Sequence, residues 1–428
     1  MNEMKYEQLN ETVYHEKLEN GLDVYLLPKQ EFNKTFVTFT TKYGSIDREF
    51  IPLGKDELKI VPDGIAHFLE HKMFEKEDGD VFQQFSTQGA QANAFTSFTR
   101  TAYLFSSTDR VLENVATLLK MVQEPYFTEK TVEKEKGIIG QEIQMYNDNP
   151  DWRLYFGTIE NMYHTHPVKI DIAGTIDSIA DITADLLYEC YHTFYHPSNM
   201  LLFAVGNFDP KEMMEFIRTD QKNREFVEAT EIVRHFEEEP ASVAKKNQVI
   251  RMNVEREKCY VGIKLKSADQ SGKAQLKHEL SIQLLLDVLF SKSSLVYEKL
   301  YEDGVVDDSF SFDFSQEQGY GFAIIGGDTD DPDNMENRIK DILLEAKKGK
   351  YIDEQSLERA KKKRIGRFLR SLNSPEYIAN QFTRYAFNEM SLFEVVPTLE
   401  KISFEDIEKC AAEFFDENQM TSCHIARK

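Results

Sequence analysis

The chain has 428 residues, too many for one ordinary domain, and its 41% hydrophobic and 12% aromatic content excludes a disordered polypeptide. With 51 basic against 74 acidic side chains the net charge is −23, which excludes a general binder of nucleic acid or anionic membrane and suits a basic partner. Four cysteines without CxxC spacing make no disulfide framework, no apolar run reaches the length of a membrane span, and the first 29 residues lack a signal-peptide pattern, so the expected location is the cytoplasm.

In chain order, alternation predicts strands over 22–27 and 35–43, the second ending at Gly44-Ser45. After Pro62-Asp63-Gly64, an apolar-rich run predicts a helix over 65–74. A strand pattern follows over 92–107, then helices over 111–123 and 129–146, and a strand over 200–205 closing at Gly206. From 219 to 248 the composition turns charged and poorly periodic, as in a linker. Beyond it a strand (260–265), a long apolar helix (280–300), strands (309–314, 322–325) and charged helices (335–348, 353–371) repeat the order of the first half. The stretch 282–290 resembles 65–74 but carries no His. The pattern predicts an α+β protein of two homologous domains, each a mostly antiparallel sheet packed against helices: 1–218, a charged linker 219–248, and 249–428.

The chemistry concentrates in Gly64-Ile65-Ala66-His67-Phe68-Leu69-Glu70-His71-Lys72-Met73-Phe74. His67 and His71, four apart, stack on one side of a helix, and Glu70 falls within the same arc. Apolar neighbours on nearly every side predict burial, which is costly for two imidazoles and a carboxylate unless a partner satisfies them. A divalent metal such as zinc does so, leaving an open position for water. H-x-x-E-H is the inverted zincin order. A third ligand must come from elsewhere, and Glu135 and Glu142, seven apart on the helix over 129–146 with Ile138 and Ile139 between them, share an inward face. Spacing does not choose between these two.

Other groupings read as structure. Cys190, His192 and His196 lie at an aromatic-flanked helix end before Pro197, His164 and His166 lie in a loop, and Gly319-Tyr320-Gly321 lacks dinucleotide spacing. The acidic runs 237–239 and 328–333 read as solvated surface.

The sequence resembles the pitrilysin/insulinase family of zinc metallopeptidases, in its mitochondrial-processing-peptidase-like branch. The likeness rests on Gly44-Ser45, the motif from His67 to His71, Gly89 with Asn93-Ala94-Phe95-Thr96, Thr101, Tyr103, Glu135 to Glu142, Gly174, Tyr195, Pro197, Asn199 and Gly206. The resemblance implies a metalloprotease-like α/β roll and a zinc endopeptidase with one Zn2+ per chain. It assigns His67, His71 and Glu142 as ligands, Glu70 as general base and Glu135 as a second active-site carboxylate. It also implies an edge strand at Asn93, Ala94, Phe95 and Thr96 that holds a peptide or unfolded substrate as an added strand, within an enclosed chamber. Family members bring an Arg and a Tyr from the second half to the substrate carbonyl. Here Tyr301 and Asp307 stand in those places, with Arg384-Tyr385 as another candidate pair. A homologous partner in a heterodimer would restore the pair and a homodimer would not. The alternative is a non-catalytic binding or maturation subunit retaining a structural zinc.

Overall fold

The computed structural model describes residues 1–77, 79–266 and 268–428. The first half runs through β1 (Asn2–Tyr6), β2 (Glu11–Lys17), β3 (Asp23–Pro28) and β4 (Thr35–Thr41). A short ribbon of β5 (Glu49–Phe50) and β6 (Lys59–Ile60) precedes α1 (Ile65–Lys72), and a second, β7 (Glu75–Lys76) with β8 (Gly79–Asp80), follows it. Then come α2 (Val81–Thr87), β9 (Ala90–Thr96), β10 (Thr101–Ser107), α3 (Val111–Gln123), α4 (Glu129–Asp148) and α5 (Pro150–Met162). The half ends with α6 (Ile176–Ala180), α7 (Ala184–Phe194), β11 (Met200–Gly206) and α8 (Pro210–Lys222). The second half comprises β12 (Asn247–Met252), β13 (Glu257–Lys264), α9 (Gly272–Phe290), α10 (Leu295–Glu302), β14 (Ser311–Glu317) and β15 (Tyr320–Thr329). It continues with α11 (Pro332–Ala346), α12 (Glu354–Ser371), α13 (Pro375–Phe387), α14 (Val395–Lys401), α15 (Phe404–Phe414) and β16 (Met420–Arg427).

Two sheets organise this chain. The first has the order β1-β2-β3-β11-β4-β10-β9 and the second β12-β16-β13-β15-β14. Only β3 with β11 and β12 with β16 run parallel; every other neighbour is antiparallel. Apart from the β1-β2 hairpin the orders correspond strand for strand, as duplication predicts. β4 is buried at all seven positions, which suits its Thr-Phe-Val-Thr-Phe-Thr-Thr sequence at the centre of a covered sheet.

Contacts divide the chain into two compact units, neither contiguous. The first holds Met1–Ile143, Ile170–Phe236 and Ser371–Phe387, and the second Gln144–Lys169, Glu237–Arg370 and Asn388–Lys428. Thus α5 packs on β12, β13 and β16, where Leu154 joins Cys423 and Ile425 with Ile250 and Tyr260 against them, while α13 packs on β4 and β11. The divisions expected at 218 and 249 contain no sign of these two exchanged helices, because an amphipathic helix does not encode which sheet it covers.

Several elements depart from the periodicity. The stretch 92–107 is two strands turned at 97–100, where Ser97 N–H donates to Arg100 O at 2.8 Å. The helix expected over 280–300 breaks at 291–294, and the Ser294 side chain caps α10 through Tyr297 N. The expected linker is pinned down: the Arg234 side chain donates to Asp47 at 2.7 Å, and Glu239 is held in the second unit. The run 237–239 is therefore not wholly solvated. Glu239 accepts the backbone N–H groups of His164, Thr165 and His166 and the ammonium of the buried Lys264. Burial opposes ionisation of Glu239, yet these donors hold its carboxyl down to about 2. Among the described residues no single helix is long and apolar enough to cross a membrane.

Candidate metal centre

α1 is short and its position is locked at the N-terminus. Gly64 has φ +88°, and a Cβ there would lie 2.4 Å from Ala173 O; Gly174, φ +73°, faces Asp63 O at the same distance. Only glycine allows this mutual approach. Ser178 Oγ, from α6, then donates to Asp63 O at 2.8 Å. The segment 173–178 therefore clamps the start of α1, whose residues Ile65, Ala66, Phe68 and Leu69 are buried.

One turn apart on α1, the rings of His67 and His71 lie with centroids 4.6 Å from one another. α4 brings Glu142 to both: His67 Nε2 is 3.7 Å from Oε1 and His71 Nε2 is 3.5 Å from Oε2. One donor atom from each of the three residues falls within 4.8 Å of the others. A hydrogen bond would bring such atoms closer, and a cation held between them would leave them at this separation. The donor set, two imidazoles and a carboxylate, is that of a zinc centre with an open position.

The surrounding groups act on the two imidazoles in opposite senses. Burial, then the neighbouring His71, lowers the pKa of His67 and keeps that ring neutral. His71 Nδ1 lies 3.0 Å from Glu135 Oε1, which fixes its tautomer and leaves Nε2 directed at Glu142. Burial pulls His71 down, but the bond to Glu135 and the charges of Glu70 and Glu142 outweigh it and its pKa rises. Burial pushes Glu135 up, yet its bond to His71 brings it below the usual carboxylate range. The geometry thus separates two glutamates that spacing left equivalent: Glu142 faces both imidazole Nε2 atoms, and Glu135 lies behind His71.

Glu70 is buried, and burial pushes its carboxyl up to about 7. Among the described residues its hydrogen-bonding side chain is Thr96, whose Oγ1 donates to Oε2 at 3.2 Å. Thr96 ends β9, the edge strand of the seven-stranded sheet, which among the described residues pairs with β10 alone. Asn93, Ala94, Phe95 and Thr96 therefore lie on a strand with one open edge beside the His67–His71 helix. Thr96 also faces Thr101, and Thr101 Oγ1 donates to Tyr43 O at 2.9 Å. The link from Thr96 to Glu70 was not legible in the sequence, where Thr96 belongs only to the strand pattern. Lys72, fully buried beside His71 and paired with Glu75, has no signal in the sequence beyond a lone Lys in an apolar helix.

A cavity of about 670 Å³ opens beside Glu70, His71 and Glu135, with Phe74, Phe82 and Ile138 among its walls. Ile138, expected to pack inward with Ile139, is 46% exposed and faces this space. The groupings set aside as structural stay apart from the centre. The Cys190 thiol is buried and pushed up to about 12, and His196 bonds Ser198 and Val227 O. Asp307 pairs with Arg256, Tyr301 is exposed, and the Arg384 guanidinium lies 5.4 Å from the Tyr385 ring. One further group of potential ligands occurs among the described residues, Asp333, Glu336 and His424. There the Lys340 ammonium sits 2.6 Å from Glu336 and Asp333 is exposed, so the cluster is already neutralised as an ion-pair network.

Comparison with known proteins gives two family matches: residues 61–176 match "Insulinase (Peptidase family M16)" and residues 181–364 match "Peptidase M16 inactive domain". The chain is 61% identical to the "Uncharacterized zinc protease YmfH" of Bacillus subtilis (strain 168), over 99% of both chains. It is 38% identical, with a TM-score of 0.94, to the "putative M16-like peptidase from Alicyclobacillus acidocaldarius" seen in a crystal structure, covering 98% of this chain and 99% of that one. A protease from Helicobacter pylori shares the fold at a TM-score of 0.84 and 20% identity, covering 96% of this chain and 99% of that one.

Proposed function

This chain belongs to the insulinase (M16) peptidase family of zinc proteases, and from that premise we propose that it is a zinc-dependent endopeptidase acting on peptides or unfolded polypeptide segments. The observation that carries the proposal is the convergence of His67, His71 and Glu142 beside a buried Glu70 at the end of an open sheet edge. His67, His71 and Glu142 would hold one zinc per chain. Zinc bound there would supply a Lewis acid for the scissile carbonyl and would lower the pKa of water.

The chain's own residues do the rest. Glu70 takes a proton from the attacking water onto its carboxylate and returns it to the leaving amine, a role suited to a carboxyl raised to about 7. Thr96 holds that carboxylate through Oε2, and Glu135 holds His71 through Nδ1. The free edge of β9 binds the substrate backbone as an added antiparallel or parallel strand at Asn93, Ala94, Phe95 and Thr96. The four free cysteines suit a reducing compartment, and the proposal places the enzyme in the cytoplasm.

The second unit offers no Arg and Tyr in the expected places: Tyr301 and Asp307 occupy them, and Asp307 is bound to Arg256. The proposal therefore includes a homologous partner chain that completes an enclosed chamber and supplies donors to the developing oxyanion. The test is hydrolysis of an unstructured peptide with the partner chain present and absent, with molar mass from light scattering. Glu70→Gln should retain zinc and fold but lose hydrolysis by roughly 10²–10⁴-fold. Undiminished turnover by that variant would overturn the role of Glu70. Full activity of the wild-type chain as a monomer or homodimer would overturn the heterodimer. A zinc-loaded chain without turnover in every combination would mark it as a maturation subunit.

A further inference from the structure

The strongest local departure from the chain's composition lies far along the sequence from the metal centre. Residues 359–370 read Arg-Ala-Lys-Lys-Lys-Arg-Ile-Gly-Arg-Phe-Leu-Arg: seven basic side chains of twelve, and no acidic one. Since the whole chain carries −23, the other residues carry −23 − 7 = −30. All twelve lie within α12.

Two of these cations are withdrawn from solvent. Arg364 turns inward to Asp287 and Gln283, and Lys361 is buried against Glu358. The other five, Arg359, Lys362, Lys363, Arg367 and Arg370, are exposed. At about 100° and 1.5 Å per residue they occupy one arc of roughly 140° and a stripe of about 17 Å. Gly366 lies within that arc, and a Cβ there would meet nothing within 4 Å, so the middle of the stripe is open backbone. Lys362 and Lys363 have no carboxylate partner among the described residues.

Helix stability does not account for the stripe. Favourable interaction with the helix dipole is confined to the last turn, which covers Arg370 but not Arg359, Lys362 or Lys363. The pairs 359/362, 359/363, 363/367 and 367/370 set like charges at i,i+3 or i,i+4, each mildly destabilising. A solvated helix face in an acidic protein would ordinarily alternate signs. The arrangement concentrates positive potential where an anion can meet it.

We infer that the exposed face of α12 is a docking surface for a short acidic polypeptide segment, with Arg359, Lys362 and Lys363 at its core. The stripe's length matches about five extended residues. A long nucleic acid would run off the stripe onto a surface of net charge −30, and the arc presents no aromatic side chain for base stacking. Leu369 is the one large apolar side chain α12 exposes, too little to seat in a bilayer.

The experiment is fluorescence anisotropy of a short labelled Glu-rich peptide titrated with the full-length chain. Saturable binding is expected at about 0.01 M salt, weakening steeply by about 0.1 M as the screening length falls from roughly 30 to 10 Å. The double charge reversal Lys362→Glu/Lys363→Glu should weaken binding by about tenfold or more, as loss of two complementary charges does. Melting temperatures report whether the fold is intact. Should the reversal unfold the helix, Lys362→Gln/Lys363→Gln keeps helix propensity and should still weaken binding severalfold. No binding, or equal binding by both variants and wild type, would overturn the inference. Tighter binding of a short single-stranded DNA or of vesicles containing anionic lipid would overturn the acidic-polypeptide assignment.

Discussion

The helix that carries the candidate metal ligands and its counterpart in the second unit place opposite chemistry on the same scaffold. Aligning Phe74 with Phe290 sets His67 against Gln283, Glu70 against Leu286 and His71 against Asp287. In the first unit α4 crosses to this face and delivers Glu142, so that three potential electron-pair donors converge. In the second unit α12 delivers Arg364, whose guanidinium donates to Asp287 at 2.5 and 2.9 Å and to Gln283 Oε1 at 2.8 Å. There the positive charge is part of the chain and the acceptors are satisfied. The base position has become Leu286, fully apolar and buried. The difference leaves the first unit with a donor set suited to a metal and the second with its acceptors already satisfied. A buried carboxylate must be neutralised by something, and a guanidinium does it without leaving an open coordination position for chemistry.

The largest effect expected on this contrast is in the first unit, where His71→Ala should take zinc from about one per chain to nearly none, with activity. Elemental analysis of the purified variant decides it, and full occupancy would remove His71 from the centre. Next, Arg364→Ala should cost about 2–4 kcal/mol in a denaturant melt, because it strands the buried Asp287, and should leave zinc content unchanged. Replacing Arg364 and Asp287 together by Leu should recover most of that loss; a double variant as unstable as the single one would mean the pair is not the reason. Thr96→Val is expected to lower kcat by about tenfold with little change in KM, since it removes the donor that holds Glu70, and Thr96→Ser should restore it. A KM effect alone would make Thr96 a substrate contact instead. The smallest effect belongs to the internal charge cluster of the second unit, where Glu239→Gln should cost about 1 kcal/mol at neutral pH. Because the folded carboxyl is held down to about 2 from an ordinary 4.5, its contribution is complete above about 4.5 and disappears as pH falls toward 2. Urea melts at pH 7 and pH 3 should therefore converge for the two proteins, and a constant difference would refute that account.

Much of this was legible in the sequence for identifiable reasons. H-x-x-E-H in an apolar helix is legible because two imidazoles buried one turn apart require a shared partner, which a metal would be, and the carboxylate beside them requires a role of its own. The duplicated order of elements is visible because strand and helix periodicities differ. The chain by itself therefore determined the metal motif, the glutamate pair downstream and the two-copy architecture. Tertiary structure alone decided how the two glutamates meet the imidazoles: they share a helical face, yet Glu135 faces His71 Nδ1 and Glu142 faces Nε2 of both histidines. It also decided that α5 and α13 cover each other's sheets, that Thr96 holds Glu70, and that Glu239 is bound by three consecutive N–H groups. These depend on contacts between residues distant in the chain, and local periodicity carries no record of the partner a face will meet.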